Sequence, residues 1–460
     1  MSNEVTEHYL AAQLVEAAFT KELSHGRKVK TIKYFGDYFY IYTDENVWER
    51  RSKAEMRDYF VEPLVNQTGG LSTKRLNTVL DCLTAKARRA TDRNLQFNSW
   101  DNPETKPAAT IPVLNGLVVR TDPPDWKDPD SVSKFSWIPH TPEYFSLNQL
   151  PFRFNEDATC PQWEEFIEQI SCGKKDRAEV LQQWAGYLFM KTDGEQKFLL
   201  YFGEGQNGKG VYTNILQRLV GDGNYSNVGL DQFSNKYAVA SMMGKMVNMS
   251  NESSKNIKGT AENILKTLTG GDTHSFEAKY KDPTSCRPTA KIMLATNDLP
   301  RFNDRSRGTW RRVLLLPFEL NVEDGKVDKN LFSKLGQELP GILNWALKGM
   351  LSLEENRGFT KLSDHDEMIH NYRNEADPSR DFLLEFYEYS EEARGKSSAS
   401  VYEHYKNHCK ENGFQAMAST GLGKQIKRVF PKVDKIRARI PKTKNLENIY
   451  KGLRKKSTLA

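Results

Sequence analysis

The chain has 460 residues, 38% of them hydrophobic and 27% charged, with a formal net charge of +6. That length suggests roughly three domains, and that balance describes an ordinary globular protein, not a disordered or membrane one. Apolar runs such as Val313 to Leu316 fall far short of the roughly 20 residues that cross a bilayer.

The N-terminus, Met1-Ser2-Asn3-Glu4, carries neither the basic nor the apolar stretch of a signal peptide. The expectation is a cytoplasmic protein, in the host cytoplasm if phage-encoded, with no membrane partner. Cys82, Cys160, Cys172, Cys286 and Cys409 are scattered without a Cys-x-x-Cys pair, which argues against a disulfide framework or a zinc module. From Val401 to the end, fifteen Lys/Arg stand against four Asp/Glu, a net of +11 on a body of −5. A basic end on an acidic body points to a polyanion partner, most simply nucleic acid; its other reading is a solvated tail.

In chain order, residues 1–105 read as a mixed α+β region. A β-rich stretch from Thr31 to Tyr42 is broken by a Gly36-Asp37 turn, and helices follow at about 53–65 and 72–90. Tyr34, Phe35, Tyr38, Phe39 and Tyr40 suit a sheet core better than a base-stacking platform. Residues 106–190 read as a linker and helical, collar-like region. Prolines at 103, 107, 112, 123, 124 and 129 mark a boundary or long loops there, and Asp122, Asp125, Asp128 and Asp130 read as a solvated loop rather than a metal site. A helical block from about Pro161 to Met190 closes the region.

Residues 191–350 alternate short strands, loops and helices, the pattern of a parallel α/β sheet. The apolar run Phe198 to Phe202 enters Gly203-Glu-Gly-Gln-Asn-Gly-Lys-Gly210, and a helical pattern begins at Val211. A glycine-rich loop between strand and helix lets backbone N–H groups curl around phosphates, and Lys209 reaches the terminal ones. Gly203, Gly205, Asn207, Gly208, Lys209, Gly210 and Val211 are therefore the expected contacts to ATP. The position after the lysine, commonly a Ser or Thr that binds magnesium, is Gly210; Thr213, one turn on, is the candidate substitute.

A second apolar run, Lys245 to Met249, ends in Ser250-Asn251-Glu252. A carboxylate at the end of a strand beside the phosphate loop can polarise the attacking water, so Glu252 is the expected catalytic base and, with Thr213, a magnesium ligand. A third run, Lys291 to Ala295, ends in Thr296-Asn297-Asp298, where Asn297 can sense the γ-phosphate. Arg311 and Arg312 then lead into Val313 to Leu316, and Arg312, with Arg311 as the alternative, is the expected finger on a neighbour's nucleotide.

Residues 351–390 read as a helical connector and 391–460 as a basic helix–helix–hairpin, winged-helix-like. Ser398 and Ser419 are its expected helix caps. Leu422, Ile426 and Val429 share one face of the second helix, and Lys424, Lys427 and Arg428 lie on others as DNA contacts.

Lys209, Glu252 and Asn297 lie 43 and 45 residues apart, with the arginine pair 14 further on. That order resembles the superfamily 3 helicases, a branch of the AAA+ ATPases, and above all the C-terminal region of phage/plasmid-type primase–helicases, related to the poxvirus primase–helicase. Gln182-Gln-Trp-Ala-Gly-Tyr187, Lys266-Thr-Leu-Thr-Gly-Gly-Asp272, Ala295-Thr-Asn-Asp-Leu-Pro300 and, upstream, Val113-Leu-Asn-Gly-Leu117 also resemble segments of that family. The resemblance runs from about residue 30 to the end. It implies an AAA+ P-loop core that uses ATP and Mg2+, a homohexameric ring, and 3′ to 5′ movement on single-stranded and forked DNA. It also implies a pore hairpin gripping DNA through Lys279, Tyr280 and Lys281, and it leaves room for a separate primase. The competing readings are a replication initiator that binds DNA with a decayed P-loop, and a DNA-packaging ATPase. No nuclease-like carboxylate set follows the motor, which counts against the latter.

Overall fold

Four of the apolar runs and the short Tyr225–Ser226 lie side by side as strands: Phe198–Phe202 (β1), Tyr225–Ser226 (β2), Val247–Asn251 (β3), Lys291–Thr296 (β4) and Val313–Pro317 (β5). All pair in parallel, in the order β2-β3-β4-β1-β5. A parallel sheet needs cover on both faces, which is why β1, β4 and β5 read as unbroken apolar runs and are buried along nearly their whole length. Helix Lys209–Val220 follows β1 and Gly259–Gly270 follows β3. The two-residue β2 was not anticipated; it is too short to show a period.

The computed structural model describes residues 6–24, 26–61, 72–88, 97–101, 109–120, 135–190, 194–251, 257, 259–277, 279, 283–300, 302, 307–321, 328, 330–376, 378–411, 416–439 and 446–456. These divide into two units, Met1–Ser363 and Asp364–Ala460.

In the first unit the strands Ile32–Phe35, Tyr38–Tyr42 and Trp48–Arg51 form an antiparallel sheet, with Gly36 and Asp37 turning the first hairpin. Helices Glu7–Ala18 and Thr73–Ala87 close its core through Leu10, Leu14, Leu76, Val79 and Leu83. Tyr34, Phe39 and Tyr40 are buried, as a sheet core requires. Helices Pro161–Ile170 and Lys175–Tyr187 form as the pattern suggested, the second packing on Leu339–Glu355.

The proline-rich stretch is not all loop. Ala109–Val113, Gly116–Arg120 and Phe135–Ile138 make a three-stranded antiparallel sheet. Pro112 is tolerated because its strand is an edge, where a missing N–H costs no ladder bond; its carbonyl accepts from the Leu150 N–H at 2.9 Å. The four aspartates at 122 to 130 lie outside the described residues.

The boundary expected at 391 also moves. Helix Leu339–Glu355 belongs to the first unit, whereas Phe382, Leu383 and Tyr387 join Val401, Tyr405, Leu422 and Ile426 in the core of the second. Helices Ser398–Glu411 and Ser419–Val429 precede the antiparallel pair Asp434–Arg439 and Leu446–Lys451. The helix–helix–hairpin order is as read, but the caps sit one residue earlier. Ser397 Oγ accepts the Ser400 N–H at 3.2 Å, and Ala418 holds the second cap position without a side-chain bond.

Candidate active site and DNA interface

Ligands of parallel α/β sheets collect beyond the carboxyl ends of the strands. At that end of β1 the chain turns through 203–208 into helix Lys209–Val220. Gln206 and Gly208 take positive φ, 57° and 87°. Only glycine suits position 208, because a Cβ there would meet Ile170 Cγ2 at 2.5 Å. Asn207 is buried; its Nδ2 donates to the carbonyls of Glu204 and, at 3.1 Å, Phe318. Its Oδ1 accepts the Lys209 N–H at 3.4 Å. The loop is thus pinned to the residue that follows β5.

The Lys209 ammonium donates to the carbonyls of Gly203 and, at 3.3 Å, Glu204. Burial pushes its pKa below the ordinary lysine value. The first N–H groups of a helix have no intrahelical partner, and the macrodipole adds positive potential. Loop, lysine and helix end together form a cradle for an anion. Gly205 and Gly210 face open space, with no atom within 4 Å of where a side chain would begin. Beside Gly208 and Val211 lies a cavity of about 440 Å³, with Phe166, Leu320 and Leu331 on its walls, a size typical of small-ligand sites. Those three residues carry no motif and were not foreseen.

β4 separates β1 from β3, with Thr296 opposite Phe202 and Ala295 opposite Asn251. Gly203, Asn297 and Asn251 therefore share one edge of the sheet, Asn251 about 10 Å from β1 at the usual strand spacing. Both asparagines are exposed. Glu252 lies outside the described residues. Thr213, the candidate magnesium ligand, is fully buried; its hydroxyl donates to the Lys209 carbonyl at 2.8 Å and it also bonds Tyr201. Helical spacing brought it one turn from the lysine, but on the side facing the sheet. Among the described residues no three acidic, His or Cys side chains converge on a metal position.

Arg311 and Arg312 stand at the opposite end of the sheet, since β5 runs beside β1 from Val313 opposite Phe198 to Pro317 opposite Phe202. One strand length, about 16 Å, separates them from their own phosphate loop. Arg312 is half-buried; its Nη1 donates to the Gly308 carbonyl at 2.7 Å, and burial lowers its pKa. Arg311 is exposed.

The strands His274–Phe276 and Thr284–Cys286 form the anticipated hairpin, with Lys279 exposed; Tyr280 and Lys281 lie outside the described residues. Lys424 and Arg428 are exposed on helix Ser419–Val429. Lys427 is not a free cation: it donates to the Val433 carbonyl and pairs with Asp434, both at 3.0 Å. The sequence reading passed over Lys435 and Arg437, exposed on the adjoining strand.

Residues 17–172 match a family described as D5 N terminal like, 201–312 a family of unknown function (DUF5906), and 380–457 the RFX DNA-binding domain. A protein of Acanthamoeba polyphaga mimivirus named "Putative helicase L207/L206" is 27% identical over 174 residues, 35% of this chain and 18% of its own length. The chain thus spans less than a fifth of that relative. Among solved structures, two of the NrS-1 C-terminal region superpose with TM-scores of 0.52 and 0.50 at 9% and 10% identity, each covering 98% of this chain and 100% of its own; they share its fold. Among the described residues no helix is long and apolar enough to cross a membrane. The chain is thus similar over 17–172 to the D5 N terminal like family and over 174 residues to a virus protein named "Putative helicase", in line with the family that its motifs resemble.

Proposed function

We propose that this chain is an ATP-driven DNA helicase that works as a homohexameric ring on single-stranded and forked DNA. The observation that carries the reading is the loop 203–208, whose open side, buried lysine and helix N-terminus make an anion cradle at the edge of a parallel sheet. The neighbouring cavity suits the nucleoside. In this reading Lys209 leaves its own carbonyls to hold the terminal phosphates, Asn297 orients the attacking water, and Glu252 takes its proton. When bound, Mg2+ neutralises charge on the phosphates. Among the described residues no three candidate ligands converge, and the Thr213 hydroxyl is already bonded, so the ion's contacts come mainly from phosphates and water.

The exposed Arg311 and the partly turned-in Arg312 act on the neighbouring subunit's nucleotide. Lys279, Lys424 and Arg428 contact DNA, the last two from a winged-helix module, a reading supported by the RFX match over 380–457. The mimivirus relative's name and the D5-like N-terminal match support the helicase class. Asn251, which stands at a strand end where many P-loop enzymes place a metal-binding aspartate, and Gly210 favour a second reading, a DNA-binding initiator without turnover. ATP hydrolysis with and without single-stranded DNA separates the two. DNA-stimulated turnover that Lys209→Ala abolishes, with DNA binding kept, is expected; a wild-type chain that binds DNA and never hydrolyses ATP would leave the initiator.

A further inference from the structure

The phosphate loop is braced from behind by a residue that no motif singles out. Arg177, near the start of helix Lys175–Tyr187, is 1% exposed. Its Nη1 and Nη2 donate to the two carboxylate oxygens of Glu319 at 2.8 and 3.1 Å. A planar guanidinium meeting a carboxylate in this two-pronged way fixes both distance and orientation. Glu319 is 53% exposed, and Arg177, with Lys174 at 3.6 Å, holds its carboxyl below the usual range.

Glu319 directly follows Phe318. The Phe318 N–H donates to the Phe202 carbonyl at 2.7 Å, and the Phe318 carbonyl accepts from Asn207 at 3.1 Å. A side chain at Gly203 would collide with that same carbonyl. The path from helix to loop is therefore short and continuous: guanidinium, carboxylate, one backbone residue, Asn207 amide. Burying an arginine is expensive unless it is engaged, and here both Nη groups are engaged on a segment that also anchors the loop. The same helix holds the far side of the cradle, for the Tyr212 hydroxyl donates to the Leu181 carbonyl at 2.9 Å.

We propose that Arg177 is a positioning residue of the nucleotide site, acting through Glu319 and Phe318 to hold Asn207 and the loop 203–208 in their phosphate-binding shape. The proposal rests on the nucleotide reading above. It assigns the helical region before the sheet a part in binding, as the rigid support of the loop.

The test compares the full chain with Glu319→Gln, which breaks the fork at a half-exposed position, and with the double variant Arg177→Met/Glu319→Gln, which removes the buried charge as well. ADP binding is measured by calorimetry, and amide hydrogen exchange is followed over 203–210 in nucleotide-free protein. Both variants should bind ADP about tenfold more weakly, roughly 1.4 kcal/mol, and exchange faster in that segment, while the double variant keeps the wild-type melting temperature. A purely structural pair would lower the melting temperature and leave ADP affinity and loop exchange alone; that result overturns the proposal. Wild-type affinity and exchange in both variants overturn it too. If the wild-type chain binds no ADP, the nucleotide reading falls, and loop exchange in the variants still decides whether Arg177 braces the loop.

Discussion

Gly210 is the point where the phosphate loop departs from the usual pattern, and the structure gives no steric reason for it. Nothing lies within 4 Å of its would-be Cβ, and it sits inside a helix, where glycine costs about 0.5–1 kcal/mol relative to alanine. Gly210→Ala should therefore raise the melting temperature by part of that equivalent, and a loss of ADP affinity beside that gain would show that phosphate needs the open side at 210. A fall in melting temperature would mean that the backbone at 210 needs glycine after all. Gly208→Ala is the contrasting change, with positive φ and a collision at Ile170 to overcome.

At the scale of elements, the C-terminal unit carries a half-buried titratable group at the side of its core. His404 meets the rings of Phe382 and Phe386 edge-on, its Nδ1 meets the Tyr387 hydroxyl at 3.0 Å, and its Nε2 lies 3.5 Å from Lys455. Burial first, then the Lys455 and His408 charges, push its pKa below the ordinary histidine value, against a weaker pull from Glu411. A histidine whose folded pKa is depressed stabilises fully above its unfolded value, near 6.5, and that contribution is lost as pH falls below it. Melting of the full chain should show a transition that moves to lower temperature between about pH 7.5 and 5.5, and His404→Gln should flatten that shift. A transition equally pH-sensitive in the variant would assign the effect to other groups, His140 and His274 first, since burial lowers both.

The unit boundary changes how DNA binding is tested. A cut at 401 would strip Phe382, Leu383 and Tyr387 of their core partners, so the clean removal is of residues 364–460. That truncation should weaken binding to single-stranded DNA and flatten its salt dependence, because affinity through phosphates falls with log salt in proportion to the contacts made. An unchanged slope would reduce the basic unit to a solvated or protein-docking surface.

For the whole molecule, the arginine pair gives the sharpest test of a ring. At one strand length from its own loop, neither Arg311 nor Arg312 is placed to reach a phosphate held there. Arginine fingers are worth about 10³ to 10⁵ in rate in phosphoryl transfer, so the double variant Arg311→Ala/Arg312→Ala should be nearly inactive yet still assemble. Mixed with Lys209→Ala subunits, it should regain part of the turnover at interfaces where intact halves meet. Single variants then decide between them, Arg311 by its exposure or Arg312 by its place at the start of β5. A fully active double variant that stays monomeric would remove both the finger and the ring.

The order of strands, loop and lysine was legible in the sequence because each depends on residues within a few positions: an apolar run, glycines, and the first turn of a helix. The same holds for the hairpin of the basic end and for the aromatic sheet near the N-terminus. Directions of side chains and partners far apart were decided only by packing. Helical spacing could not say that Thr213 faces the sheet, nor that Lys427 spends its charge on Asp434. Prolines read as loop because their punctuation is local, whereas Pro112 survives in a strand only because that strand is an edge. Phe166, Leu320 and Leu331 meet at the cavity, and Arg177 reaches Glu319, across more than 140 residues of chain. No local pattern encodes such a meeting; it exists once the helices before the sheet fold back onto the end of β5.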